Sequence, residues 1–124
     1  QLTQDQLKFW LRKSSILVMP SLYEAFPMSA LEAMASGCAL IASSVGGLKE
    51  LIDHEKDGLL VRPADAPALA EAILRLLKDR TLRDHLASRA LHKVRTTYSY
   101  PKLVEESIES YREAIQSYNN SHRN

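Results

Sequence analysis

Apolar residues are distributed along this chain in two rhythms, short unbroken runs and helical stripes. Ile16 to Met19, Cys38 to Ala42 and Leu59 to Val61 are the unbroken runs. Uninterrupted apolar segments of this length suit strands buried on both faces better than alternating surface strands. The stripes lie between and around them. Thr3 can cap a helix reaching about Lys13 with Leu7, Trp10 and Leu11 toward a sheet, and a second helix is predicted from Pro27 to Ser36, with Gly37 placed to end it. Gly46 and Gly47 mark a turn before a short helix, Leu48 to Ile52, and Asp57 and Gly58 mark another before the third run. Asp65 can cap a helix carrying Leu69, Ile73, Leu76 and Leu77, and Thr81 another carrying Leu82, Leu86 and Val94. A last helix is predicted from near Pro101 through Val104, Ile108, Tyr111 and Ile115, with Tyr98 and Tyr100 in the bend before it.

Strands alternating with helices predict parallel pairing through right-handed crossovers, the doubly wound α/β class. Three strands make an incomplete sheet of that class. The expectation is therefore a fragment, residues 1–118 forming part of one domain and residues 119–124 a polar tail. A fragment with a bare sheet edge is expected to be marginal alone or to self-associate through that edge.

The 124 residues, 45% of them apolar, provide for one core. Sixteen Lys and Arg oppose fifteen Asp and Glu, for a net charge of +1, and the signs are interspersed. Neither nucleic acid nor an anionic membrane is favoured as a partner. Cys38 stands alone in an apolar run, where a thiol behaves as a small hydrophobe. No apolar run is long enough for a transmembrane segment. A cytoplasmic setting is expected, with any membrane association carried by a domain outside this chain.

In open parallel sheets ligands bind beyond the carboxyl ends of the strands, and Pro20 to Pro27 occupies such a position. In the helix that follows, Ser29, Glu32 and Ser36 form one narrow polar stripe on an otherwise apolar cylinder. Glu24 stands in the preceding loop. The unpartnered N–H groups and the dipole of that helix start favour an anion, so a diphosphate would fit between the two glutamates. Each carboxylate could hold a vicinal diol, one on a sugar and one on a ribose, and a nucleoside diphosphate sugar has both. On spacing alone, an exposed loop acid and a solvated helix residue are the commoner explanation.

The words around the glutamates change that balance. Pro20-Ser21-Leu22-Tyr23-Glu24-Ala25-Phe26-Pro27, continued by Leu31-Glu32-Ala33-Met34-Ala35-Ser36-Gly37, resembles the signature of the group 1 family of retaining glycosyltransferases, whose hallmark is two glutamates separated by seven residues. The resemblance runs through Ile41-Ala42-Ser43, Val45-Gly46-Gly47 with Glu50, Asp57-Gly58-Leu59-Leu60-Val61 with Pro63, and Leu69-Ala70 to Leu77. It covers about residues 14 to 118.

The resemblance implies the Rossmann-like C-terminal domain of a GT-B fold and a retaining, hexosyltransferase-type enzyme that needs no cofactor or metal. The donor is a nucleoside diphosphate sugar. Glu24 is implied to be catalytic and to bind donor-sugar hydroxyls, Glu32 to bind the ribose, and the backbone of Phe26, Pro27, Met28 and Ser29 to meet the sugar and diphosphate. The family often has glycines beside the phenylalanine. Ala25 and Pro27 stand there in this chain, and the proline removes one backbone donor. By the same resemblance the acceptor-binding N-terminal domain, and the basic residues that help hold the phosphates, lie upstream, and Val104 to Tyr118 runs back toward that domain. The fragment is expected to be inactive alone. The alternatives are a non-catalytic nucleotide-sugar-binding or scaffold protein of the same fold and a GT-B nucleotide-sugar epimerase.

Other groups carry less. Asp53, His54, Glu55 and Asp57 share a polar turn, where solvated acids outnumber metal sites, and no metal is assigned to them. His85 and His92 lie on a charged helix. Gly46 and Gly47 lack the spacing of a dinucleotide or Walker loop, so turning the chain is their expected role, with ligand contact the lesser alternative.

Overall fold

The computed structural model describes residues 1–25, 27–98, 112, 113, 115–117 and 120. Its order is α1 (Gln4–Lys13), β1 (Ile16–Met19), α2 (Met28–Ala35), β2 (Ala39–Ser43), α3 (Gly46–Leu51), β3 (Leu59–Val61), α4 (Ala66–Lys78) and α5 (Arg80–Thr97). The strands form one parallel sheet in the order β1-β2-β3, with Ile16 beside Ala39 and Ile41 beside Leu59. The expected last helix and tail lie mostly outside the described residues. Those described there, Arg112, Glu113, Ile115, Gln116, Ser117 and Asn120, are helical and exposed.

β2 is buried along its whole length, as its unbroken apolar run predicts. β1 differs: all four of its residues are only half-buried. It is an edge strand among the described residues, so an apolar run that expects burial on both faces receives part of it. Leu40, Ala42, Leu17 and Met19 pack with α2, α3 and the end of α5, while Ala39, Ile41, Leu59 and Val18 pack with α4 and the start of α5. Leu86 belongs to one layer and Ala90 and Val94 to the other, so α5 ties the two together. α1 rests on α2 through Leu11, Leu7, Ala33 and Cys38. The Cys38 thiol is buried, which raises its pKa, and it donates to the carbonyl of Leu11 at 3.1 Å. It is a packed core group.

Several helical details depart from expectation for local physical reasons. Trp10 is 55% exposed and meets Phe9 edge-on, because the strip that α1 buries is only as wide as Leu7 and Leu11. Leu77 lies off the buried strip of α4 in the same way, at 58% exposure. The cap of α5 is Asp79 rather than Thr81. Its carboxylate accepts from Leu82 N–H at 3.0 Å while its backbone closes α4, so one residue serves two helices. Gly46 and Gly47 form the first turn of α3 instead of a separate turn ahead of it.

The Asp53–Asp57 turn is also more than a solvated loop. Asp57 is 5% exposed, accepts from the backbone N–H of Asp53 at 2.8 Å, and meets Lys93 Nζ at 2.5 Å. Lys93 also donates to Asp53 at 3.1 Å and to the carbonyl of Leu51 at 2.8 Å. One ammonium thus ties α5 to the end of α3 and to the turn before β3. Burial by itself would lower the Lys93 pKa, but hydrogen bonds to Asp57 and Asp53 outweigh it and hold the pKa above its ordinary value. The hydrogen bond from Lys93 holds Asp53 below its own. Glu55 is held low by its bidentate hydrogen bonds from Arg75, which fasten the same turn to α4.

Replacing Lys93 with methionine should lower stability by roughly 2–3 kcal/mol, below the 3–5 kcal/mol of a fully buried pair because the ammonium keeps some water. The pH dependence has a definite sign. A raised lysine pKa stabilises below about pH 10.4 and that gain is lost as pH rises through the folded-state value; a depressed carboxylate pKa stabilises above about pH 4 and its gain is lost on acidification. Thermal unfolding between pH 3 and 11 should show both limbs in the wild type and a flattened alkaline limb in Lys93→Met. Equal alkaline limbs would exclude the ion pair as their cause.

Candidate functional site

The loop from Pro20 leaves β1 at the carboxyl edge of the sheet. Leu22 and Tyr23 stand 73% and 80% exposed, and Glu24 after them is half-buried. What holds it there is main chain. The Gly47 N–H donates to the Glu24 carbonyl at 2.9 Å, and Gly46, at φ +44°, packs so closely that an added Cβ would stand 2.3 Å from the same oxygen. A Cβ on Gly47 would stand 2.8 Å from Pro27 Cδ and 3.0 Å from the Ala25 carbonyl. The two glycines therefore admit the backbone of Glu24 and Ala25 and the ring of Pro27 against the first turn of α3. The pair predicts a turn; the docking is a contact of the tertiary fold, signalled in the sequence only by two adjacent glycines ahead of a helix.

Pro27 is buried and forms the N-cap of α2, without a side chain that caps the helix by hydrogen bonding. In α1, α4 and α5 an oxygen of Thr3, Asp65 and Asp79 accepts from the first turn. The start of α2 thus presents its first-turn N–H groups without a capping side chain. Ser29 is exposed in that turn and Glu32 and Ser36 are half-buried, whereas Ala30, Leu31, Ala33 and Met34 are buried; the open face is wider than the expected polar stripe, because Met28 and Ala35 are exposed beside it. Phe26 lies outside the described residues.

Glu32 is half-buried on that stripe and lines a groove of about 450 Å³ with Met28 and Leu31 of α2, Lys8 and Arg12 of α1, and Val94, Arg95 and Tyr98 at the end of α5. Ser36 lies there too, its hydroxyl donating to the Glu32 carbonyl at 2.8 Å. The family resemblance implies basic residues for the phosphates upstream of this chain. The fold brings Lys8, Arg12 and Arg95 to the groove of Glu32, and only the i, i+4 pair on α1 hinted at that. Glu24, Pro27 and Ser29 do not line this groove, so the structure divides the predicted residues between an anchored loop and a groove behind it. A smaller recess of about 250 Å³ lies at the strand ends between Pro20, Ser43 and Arg62. Among the described residues no cluster of His, Cys, Asp and Glu is arranged to hold a metal, and no helix is long and apolar enough to cross a membrane.

The family model of glycosyl transferases group 1 matches residues 1–93. The chain belongs to that family. An uncharacterized glycosyltransferase of Methanocaldococcus jannaschii is 37% identical over 112 residues, which are 90% of this chain and 29% of that protein. The chain thus spans less than a third of this relative. The C-terminal domain of a group 1 glycosyltransferase from Francisella tularensis superposes with a TM-score of 0.75 at 34% identity, over 81% of this chain and 51% of that one. Anabaena HepE, solved in complex with UDP-glucose, superposes at 0.77 over 87% of this chain and 30% of its own, and at 22% identity that likeness is one of fold. The three parallel strands and flanking helices are accordingly the C-terminal, Rossmann-like part of a GT-B glycosyltransferase.

Proposed function

We propose that this chain is the donor-binding part of a retaining, hexosyltransferase-type enzyme, which breaks the bond from the anomeric carbon to a nucleoside diphosphate and remakes it to an acceptor hydroxyl on the same face. The observation that carries the reading is the main-chain anchoring of Glu24 immediately ahead of a helix start that no side chain caps, with Glu32 on the one polar stripe of that helix. Glu24 holds hydroxyls of the transferred sugar. The first turn of α2, with the backbone from Phe26 to Ser29, receives the diphosphate, and Glu32 holds the ribose from its groove. HepE binds UDP-glucose, which is a donor of the proposed class.

The α2 start can stabilise negative charge developing on the leaving diphosphate, and the reading assigns that task to the helix rather than to a metal ion. Lys8, Arg12 and Arg95 add positive potential in the groove of Glu32, on the ribose side of the proposed site. The acceptor site belongs to a separate N-terminal domain of the same protein, working on the cytoplasmic side. Residues 1–124 by themselves should transfer no sugar, because the reaction needs both walls of an interdomain cleft. Donor consumption by this stretch alone at a rate near that of the intact protein would disprove that arrangement.

Glu32→Gln in the intact protein should weaken binding of the bare nucleoside diphosphate as well as the donor, by roughly 1.5–3 kcal/mol for a lost charge-assisted contact. Calorimetry with the nucleoside diphosphate tests this directly, and unchanged affinity would remove Glu32 from the ribose.

Glu24→Gln should behave differently in kind. A sugar contact is absent when only the nucleoside diphosphate is bound, so that affinity should be nearly unchanged while turnover falls and discrimination against deoxy-sugar donors relaxes. Kinetics with the natural donor and its deoxy analogues provide the comparison. Equal losses of affinity for donor and bare diphosphate, at normal saturated turnover, would place Glu24 on the nucleotide instead.

A further inference from the structure

We infer that Gly46 and Gly47 are positioning residues for the reaction, setting where the Glu24 carboxylate stands relative to the start of α2. This rests on the proposed role of Glu24 at the transferred sugar. Among the described residues the Glu24 carboxylate has no hydrogen-bond or ion-pair partner, so what the fold sets is the main-chain position from which that side chain reaches. That main chain has little other support. Leu22 and Tyr23 before it are largely solvent-exposed and Ala25 after it is exposed, leaving the Gly47 N–H at 2.9 Å, the bare Cα of Gly46 and the buried Pro27 against Gly47. A side chain at either glycine meets backbone or a rigid proline ring rather than a flexible tip. The clash cannot be relieved by a rotamer change. At Gly46 the Glu24 carbonyl would have to withdraw from 2.3 Å to beyond 3.0 Å, a shift approaching an ångström in the residue that holds the sugar. Misplacement on that scale costs on the order of 100-fold in rate.

Gly37 supplies the matched control. It too has a left-handed φ, +82°, but a Cβ there would meet nothing within 4 Å, so alanine imposes backbone strain without touching the loop. In the intact protein, Gly46→Ala should reduce kcat for the natural donor by roughly 30–100-fold. Nucleoside diphosphate affinity should stay within about twofold, and discrimination against deoxy donors should relax as in Glu24→Gln. Gly37→Ala, at a similar loss of thermal stability, should retain kcat within about threefold. Gly47→Ala, whose φ is not left-handed, tests the kcat loss through Pro27 and Ala25 should Gly46→Ala fail to fold; its nucleoside diphosphate affinity is not held to the twofold limit, because Pro27 caps the helix start proposed for the diphosphate. The double variant Gly46→Ala/Glu24→Gln should be little worse than Glu24→Gln alone, since a positioning residue has nothing left to position.

Full additivity of the two substitutions, or a kcat loss in the glycine variants no larger than in Gly37→Ala, would overturn the inference. A different result would overturn its premise: Glu24→Gln with normal turnover and discrimination removes Glu24 from the sugar whatever the glycines do. Impaired Glu24→Gln beside normal Gly46→Ala and Gly47→Ala leaves that premise standing and rejects only the positioning role.

Discussion

Everything in this part of the molecule depends on the burial of β2 from both faces and both edges. Its apolar side chains reach full burial only if helices cover the sheet above and below, and its backbone polar groups are satisfied only if β1 and β3 run beside it. Parallel pairing then requires a crossover between successive strands, which places α2 and α3 where they are. The loop from β1 to α2 and the one from β2 to α3 consequently emerge side by side at the carboxyl edge. Their contact through Gly47 and Glu24 follows from that topology.

Helix termini show how the same fold separates structural from chemical work. Three helices close their first turns with side-chain oxygens from Thr3, Asp65 and Asp79. The two without side-chain caps, α2 and α3, are the two that meet at the Glu24 loop. α3 gives one of its N–H groups to the loop itself. The first turn of α2 has no capping side chain, which is why the anion-binding role is proposed there and not at α4 or α5.

The Lys93 clamp has a complementary task. It fastens α5 to the end of α3 and the turn before β3, at some distance along the chain from the glutamates, and its aspartates are engaged by that ammonium and the backbone. A cluster expected to be a polar turn of solvated acids is, in three dimensions, a charge-paired brace. Lys93 stands 40 residues from Asp53, so no local pattern could have paired them.

Local signals were therefore enough for much of this protein. The three apolar runs specified the strands, Thr3 and Asp65 specified two helix starts, and the polar stripe on α2 followed from helical spacing, because each depends on side chains a few residues apart. The glutamate pair and its surrounding words were equally legible, as was the family they resemble. Tertiary structure alone decided the rest. β1 is half-buried because it lies at an edge, Trp10 and Leu77 are exposed because the faces they border are narrow, and Lys8, Arg12 and Arg95 reach the Glu32 groove because α1 and α5 flank α2. The demand for two glycines arises the same way, from backbone passing within contact distance of residues some twenty positions away. Periodicity records which face a residue takes on its own element; which other element meets that face, and how closely, depends on long-range packing that no local spacing encodes.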